Sequence, residues 1–181
     1  MRRTHAPVEG RGDMSALDQL REAIRHGAHR ITGTGTRMGF LPQWQGSALD
    51  VTGMTGIVQH DVDDQVVEVW AGTPVLELQA ALRSHGQCLP FATDEELPQV
   101  VRGDYGTVGG LLAMALPHAL VAQCGGPRDW TLGMTVVRTD GTVAKSGSKA
   151  VKSVAGYDAH KLFIGSRGSL GVIAKAVLRT Y

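Results

Sequence analysis

Cysteine is nearly absent. Cys88 and Cys124 are the only two in 181 residues, far apart and without ligand spacing. That excludes a disulfide framework and a zinc cluster, and leaves two free thiols suited to a reducing compartment. Net charge is nearly absent too: the formal value is +1, with basic residues scattered singly. Nucleic-acid binding draws on clustered basic surface, so that class is excluded. No apolar run approaches the roughly 20 residues that span a bilayer. Met1 to Asp13 is polar and lacks the apolar core of a secretory signal. The chain is therefore expected to be cytoplasmic, with no nucleic-acid partner and no transmembrane segment.

Glycine is abundant. The chain has 24 glycines, nearly twice the usual share of about 7%. They follow no fixed period, which excludes collagen and solenoid repeats. They gather at 33–39, 103–110, 125–133 and 165–171. Apolar residues make up 43% and charged residues 19%, the balance of a globular protein able to bury a core. Several glycine loops on such a framework suggest one extended ligand held by backbone at many points. Within Gly106-Thr107-Val108-Gly109-Gly110, N–H groups at a helix start could receive an anion such as a pyrophosphate.

The periodicities give a coarse map. Ser15 caps a helix bearing Leu17, Leu20 and Ile24, and Gly27 stops it. A short strand at Arg30 and Ile31 precedes Thr32-Gly33-Thr34-Gly35-Thr36-Arg37-Met38-Gly39. Strands follow at Ala48–Val51, Gly56–Gln59 and Gln65–Trp70. Thr73 caps a helix with Pro74 in its first turn and Val75, Leu78 and Leu82 on its buried stripe, and Gly86 ends it. Thr107 caps a short helix reaching Ala115. Met134–Arg138 and Thr142–Lys145 form a hairpin across the two-residue turn Asp140-Gly141. Gly171 to Tyr181 is a last strand, with Val172, Ala174, Ala176 and Leu178 on one face. The expected class is α+β. Residues 1–14 are a flexible arm, and 15–181 are one domain with a first lobe at 15–86 and a second at 87–181.

Four motifs are weighed and set aside. The dinucleotide fingerprint fails at Gly33-Thr34-Gly35, because the third glycine falls at 39 instead of 38 and Phe40-Leu41-Pro42 cannot open a helix. His26 and His29 have no third ligand nearby, so no metal is expected. Asp61, Asp63 and Asp64 lack the glycine and distal glutamate of a calcium loop. Arg11-Gly12-Asp13 spells an adhesion tripeptide by chance.

Taken in order, Thr32–Gly35, Ala71-Gly72-Thr73-Pro74, Thr107-Val108-Gly109-Gly110, Gly126-Pro127-Arg128-Asp129 and Val151–Ile173 carry a resemblance. They resemble the FAD-binding (PCMH-type) domain of the vanillyl-alcohol oxidase and p-cresol methylhydroxylase flavoprotein family, and in it the flavin small subunit of glycolate oxidases. The resemblance implies two α/β lobes with FAD stretched between them and the cap domain absent. It implies that Gly33, Thr34, Gly35, Thr36 and Arg37 meet the pyrophosphate, and that Thr107, Val108, Gly109 and Gly110 meet a phosphate and the ribityl chain. Gly126, Arg128 and Asp129 would lie near the flavin's polar edge. Gly156, Tyr157, Val172 and Ile173 would border the isoalloxazine or ribityl chain.

The sequence also departs from that family. Gly33-Thr34-Gly35 stands where relatives often have three glycines. Thr36 stands where covalently flavinylated relatives carry histidine, which implies non-covalent FAD. Ser153 replaces a common asparagine, and Arg167 stands where many relatives have an acidic or neutral residue. Residues 94–104 and 117–125 follow the family loosely. Catalytic groups in this family come mostly from a cap domain, so no catalytic residue is assigned; Tyr105, His118 and His160 are read as structural or solvated. The implied function is an FAD-dependent oxidoreductase component acting on a 2-hydroxy acid such as glycolate, with a cap or partner subunit supplied elsewhere. The alternative is an assembly subunit whose flavin site has degenerated.

Overall fold

The computed structural model describes residues 14–27, 29–36, 39, 41–43, 45–92, 106–116, 121–148 and 158–181. Helix α1 (Met14–Arg25) buries Ala16, Leu17 and Leu20 and turns Asp18 and Glu22 to solvent. Ser15 lies inside this helix rather than ahead of it, so the helix begins earlier than the sequence suggested. Strands β1 (His29–Thr32) and β2 (Ser47–Asp50) pair in parallel, with Ile31 opposite Leu49.

The other five strands form one antiparallel sheet. They are β3 (Ile57–Asp61), β4 (Val66–Trp70), β5 (Thr131–Arg138), β6 (Val143–Gly147) and β7 (Gly171–Arg179), in the order β3-β4-β7-β5-β6. β7 is central, bonded to β4 on one side and β5 on the other. The expected lobe boundary near residue 86 therefore crosses this sheet. The cause lies in β4, where Val66, Val67, Val69 and Trp70 are all buried. Its successive buried residues show both faces covered, and its two edges pair with β3 and with the C-terminal strand β7.

The alternation expected along β7 breaks. The β5–β7 register shifts between Thr135 and Val136, which oppose Lys175 and Ile173, leaving Ala174 as an extra residue. Such a bulge reverses which face the following side chains take. Val172 and Ala174 enter a cluster with Leu17 and Leu20 of α1. Ala176 and Leu178 join the main core with Val67 and Val69.

Helix α2 (Val75–Arg83) buries Val75, Leu78 and Leu82, each contributing about 1.5–3 kcal/mol. Thr73 does not cap it. Its hydroxyl accepts from the Gly56 N–H at 2.9 Å and donates to the Gly56 carbonyl at 3.3 Å, so it ties the β3 entrance to the helix start. Helix α3 (Val108–Met114) is capped as expected, the Thr107 hydroxyl accepting from the Gly110 N–H at 3.2 Å. Two short helices follow, α4 (Val121–Cys124) and α5 (Pro127–Trp130).

The β5–β6 turn is wider than two residues. Arg138 N–H donates to the Thr142 carbonyl and Gly141 N–H to the Arg138 carbonyl, both at 2.9 Å. Asp140 closes it by accepting from the Thr142 N–H at 2.9 Å, and Gly141 takes the positive φ of 78° the turn requires.

Candidate functional site

A cavity of about 90 Å³ opens where three loops meet. One wall is the end of β1 and the loop after it, Ile31 and Gly33 to Thr36. A second is the cavity-facing side of α3, with Thr107, Gly109, Gly110, Ala113 and Met114. The third is Ser166-Arg167-Gly168, with Gly171 and Ile173 of β7 behind it. Leu41 and Val51 complete the lining. The sequence-derived loops at 33–36 and 107–110 thus come together on one cavity, joined by Ile173.

Contact between the first two walls sets the width. A Cβ built on Gly33 would fall 2.6 Å from the Thr107 hydroxyl oxygen and 2.9 Å from its methyl group. Only glycine allows this approach. Beyond it, Thr34, Gly35 and Thr36 are exposed, and no described residue offers an acceptor to their backbone N–H groups. Gly35 has φ 80°. These N–H groups are open to solvent at the cavity's edge.

The α3 N-terminus behaves differently from the sequence expectation. Its Val108 N–H donates to the Thr73 carbonyl at 2.9 Å and its Gly109 N–H to the Ala71 carbonyl at 2.7 Å. Gly110 N–H goes to the Thr107 hydroxyl and Leu111 N–H to the Thr107 carbonyl at 2.9 Å. Leu111 thus makes the first intrahelical bond, and the three donors ahead of it in the helix, Val108, Gly109 and Gly110, are satisfied within the protein. The glycines here serve close packing: a Cβ on Gly109 would lie 2.9 Å from the Ala71 Cβ. The Val108 and Gly109 N–H groups, expected to meet a phosphate, are thus already bonded to backbone carbonyls.

Other expected positions lie elsewhere. Val108 is fully buried in the main core. Val172 is buried in the cluster under α1. Gly126 and Asp129 make a local cap, the Asp129 carboxylate accepting from the Gly126 N–H at 2.8 Å, while Arg128 is exposed. None of these lines the cavity. Arg37, Gly156 and Tyr157, with Tyr105 and His118, fall outside the described residues.

His160 is structural. It is 2% exposed; Nε2 donates to the Thr131 carbonyl at 3.2 Å, and its backbone N–H donates to the Ser146 hydroxyl at 3.2 Å. Burial pushes its pKa below the ordinary histidine value, against the Thr131 carbonyl, which acts the other way. Among the described residues no cluster of three or more metal-ligating side chains occurs, and no helix is long and apolar enough to cross a membrane.

Ser166, Arg167, Gly168 and Gly171 were missed as cavity residues. Their glycine cluster at 165–171 was visible, yet nothing in a single sequence says which loops meet. They are held in place by α3, whose Leu112 and Ala113 carbonyls accept from the Gly165 and Arg167 N–H groups at 3.0 and 2.9 Å.

Among the described residues the donor set fits the anionic part of a nucleotide: backbone N–H groups bonded to no described residue, hydroxyls, one guanidinium, apolar walls and no carboxylate.

Comparison with known proteins agrees with this chemistry. The profile of the family described as "FAD binding domain" matches residues 16–147. The chain is 33% identical over 164 residues to glycolate oxidase subunit GlcE of Escherichia coli, covering 90% of this chain and 45% of that protein. It is 31% identical over 149 residues to the D-lactate dehydrogenase of Archaeoglobus fulgidus, covering 82% of this chain and 32% of that one. Among solved structures, an alkyldihydroxyacetonephosphate synthase superposes with a TM-score of 0.69 at 18% identity, over 94% of this chain and 30% of that chain. The chain spans less than half the length of these relatives.

Proposed function

The chain belongs to the FAD-binding domain family, with the PCMH-type fold, and on that premise we propose that it is the FAD-binding unit of a flavin oxidoreductase oxidising a 2-hydroxy acid. The observation that carries the reading is the meeting of Gly33–Thr36 with Gly109 and Gly110 on one cavity that has no carboxylate among its described residues. Glycolate and D-lactate, named for the relatives, are both 2-hydroxy acids, which supports that substrate class. Bound flavin would supply the two-electron acceptor for such an oxidation.

The chain's own residues hold and orient. Backbone N–H groups of Thr34, Gly35 and Thr36 receive the diphosphate. Gly109 and Gly110 bring backbone close to the cofactor, and Ile173, Val51 and Leu41 exclude water beside it. Thr36 has no imidazole to form a covalent flavin bond, so the cofactor is held without one. Groups that act on substrate come from a cap domain or partner subunit, as GlcE is named a subunit.

A second reading, an assembly subunit that has lost flavin, is favoured by the α3 N-terminus, whose Val108 and Gly109 N–H groups are already bonded to Thr73 and Ala71. Titrating the chain with FAD and following fluorescence quenching and thermal shift separates the two. Saturable quenching with a rise in Tm supports the flavin reading. No binding at high FAD overturns it.

A further inference from the structure

We infer that Arg167 is the cation that neutralises the cofactor's diphosphate in this chain, a role resting on the flavin reading above. Arg167 is the only charged residue among the described residues lining the cavity. It lines the same cavity as Thr34, Gly35 and Thr36, whose N–H groups can supply hydrogen bonds but no net charge. No ion pair engages it among the described residues.

Its backbone gives an independent argument. Arg167 has φ 55°, a left-handed conformation that glycine adopts freely and a long side chain resists. Gly165 and Gly168 on either side also have positive φ, 77° and 81°, so the loop already uses glycine for this geometry. The strained residue is pinned by its N–H bond to the Ala113 carbonyl at 2.9 Å. Non-glycine residues kept in such conformations gather at ligand sites, where the side chain justifies the strain. A guanidinium suits the task because it presents several donors in a plane and stays charged.

The strain also makes the test clean. Arg167→Gly removes the guanidinium and relieves the backbone, so the apo chain should unfold at the same temperature as wild type or higher. Both proteins are titrated with FAD at two or more salt concentrations, and apo Tm is recorded. The expected result is about a tenfold weaker Kd for Arg167→Gly, with a shallower dependence on salt. Equal affinity in the two proteins, or a loss whose salt dependence matches wild type, overturns the inference and leaves the flavin reading standing. A wild-type chain that binds no FAD overturns both.

Discussion

Gly33 and Thr107 touch: a single carbon added to the glycine would sit 2.6 Å from the threonine's hydroxyl oxygen. That hydroxyl is already committed to the Gly110 N–H. Two loops more than seventy positions apart are thus locked through an atom that caps a helix. Gly33→Ala should turn Thr107 away and cost the cap, about 1 kcal/mol of stability, while weakening FAD binding. In Thr107→Ala the space is vacated, so the double variant should be no less stable than Thr107→Ala alone. Chemical denaturation of the four proteins as a cycle measures this coupling; simple additivity would refute the contact.

Gly109 should be irreplaceable for a reason unrelated to charge. Alanine is the better helix former by about 1 kcal/mol, yet its Cβ would lie 2.9 Å from the Ala71 Cβ and 3.1 Å from the Ala71 carbonyl oxygen. Overpacking of that kind typically costs about 1–3 kcal/mol, so Gly109→Ala should lower Tm. A Tm at or above wild type would mean that α3 can shift freely from β4.

Gly110 faces the cavity instead. Gly110→Val should abolish detectable FAD binding, because an isopropyl group occupies space in a cavity of about 90 Å³. Fluorescence titration decides it, with normal affinity counting against this placement of the cofactor.

His160 predicts a pH dependence of stability. Its folded pKa is lowered from 6.5 by burial, so the unfolded chain binds the proton more readily. Stability from this residue is complete above about pH 6.5 and is lost as pH falls below that value toward the folded pKa, at no more than about 1.4 kcal/mol per pH unit. Urea unfolding from pH 7.5 to 5 should show the decline, and His160→Gln should flatten it. A wild-type stability that rises on acidification would contradict the assignment of a buried neutral imidazole.

Local signals were legible. The stripe Val75, Leu78 and Leu82 and the cap at Thr107 follow from spacing and side-chain chemistry, and the structure contains both. The order of glycine loops carried the family resemblance, which the matched residues 16–147 bear out. What was hidden depends on partners distant in sequence. Thr73 looked like a cap because nothing local shows that Gly56 claims its hydroxyl. The reversal along β7 needs the register against β5. The α3 glycines looked like an anion cradle because their N–H acceptors, Ala71 and Thr73, lie more than thirty residues upstream. Arg167 stood out as a departure from family pattern, but its place on the cavity needed the fold.

The central claim is that the loop at 34–36, and not the α3 N-terminus, receives the diphosphate. A crystal structure of the chain with FAD tests it directly. Phosphate oxygens should lie within hydrogen-bond distance of the Thr34, Gly35 and Thr36 N–H groups, with the Val108 and Gly109 N–H groups still bonded to Thr73 and Ala71. A diphosphate seated on the Val108 and Gly109 N–H groups would contradict it.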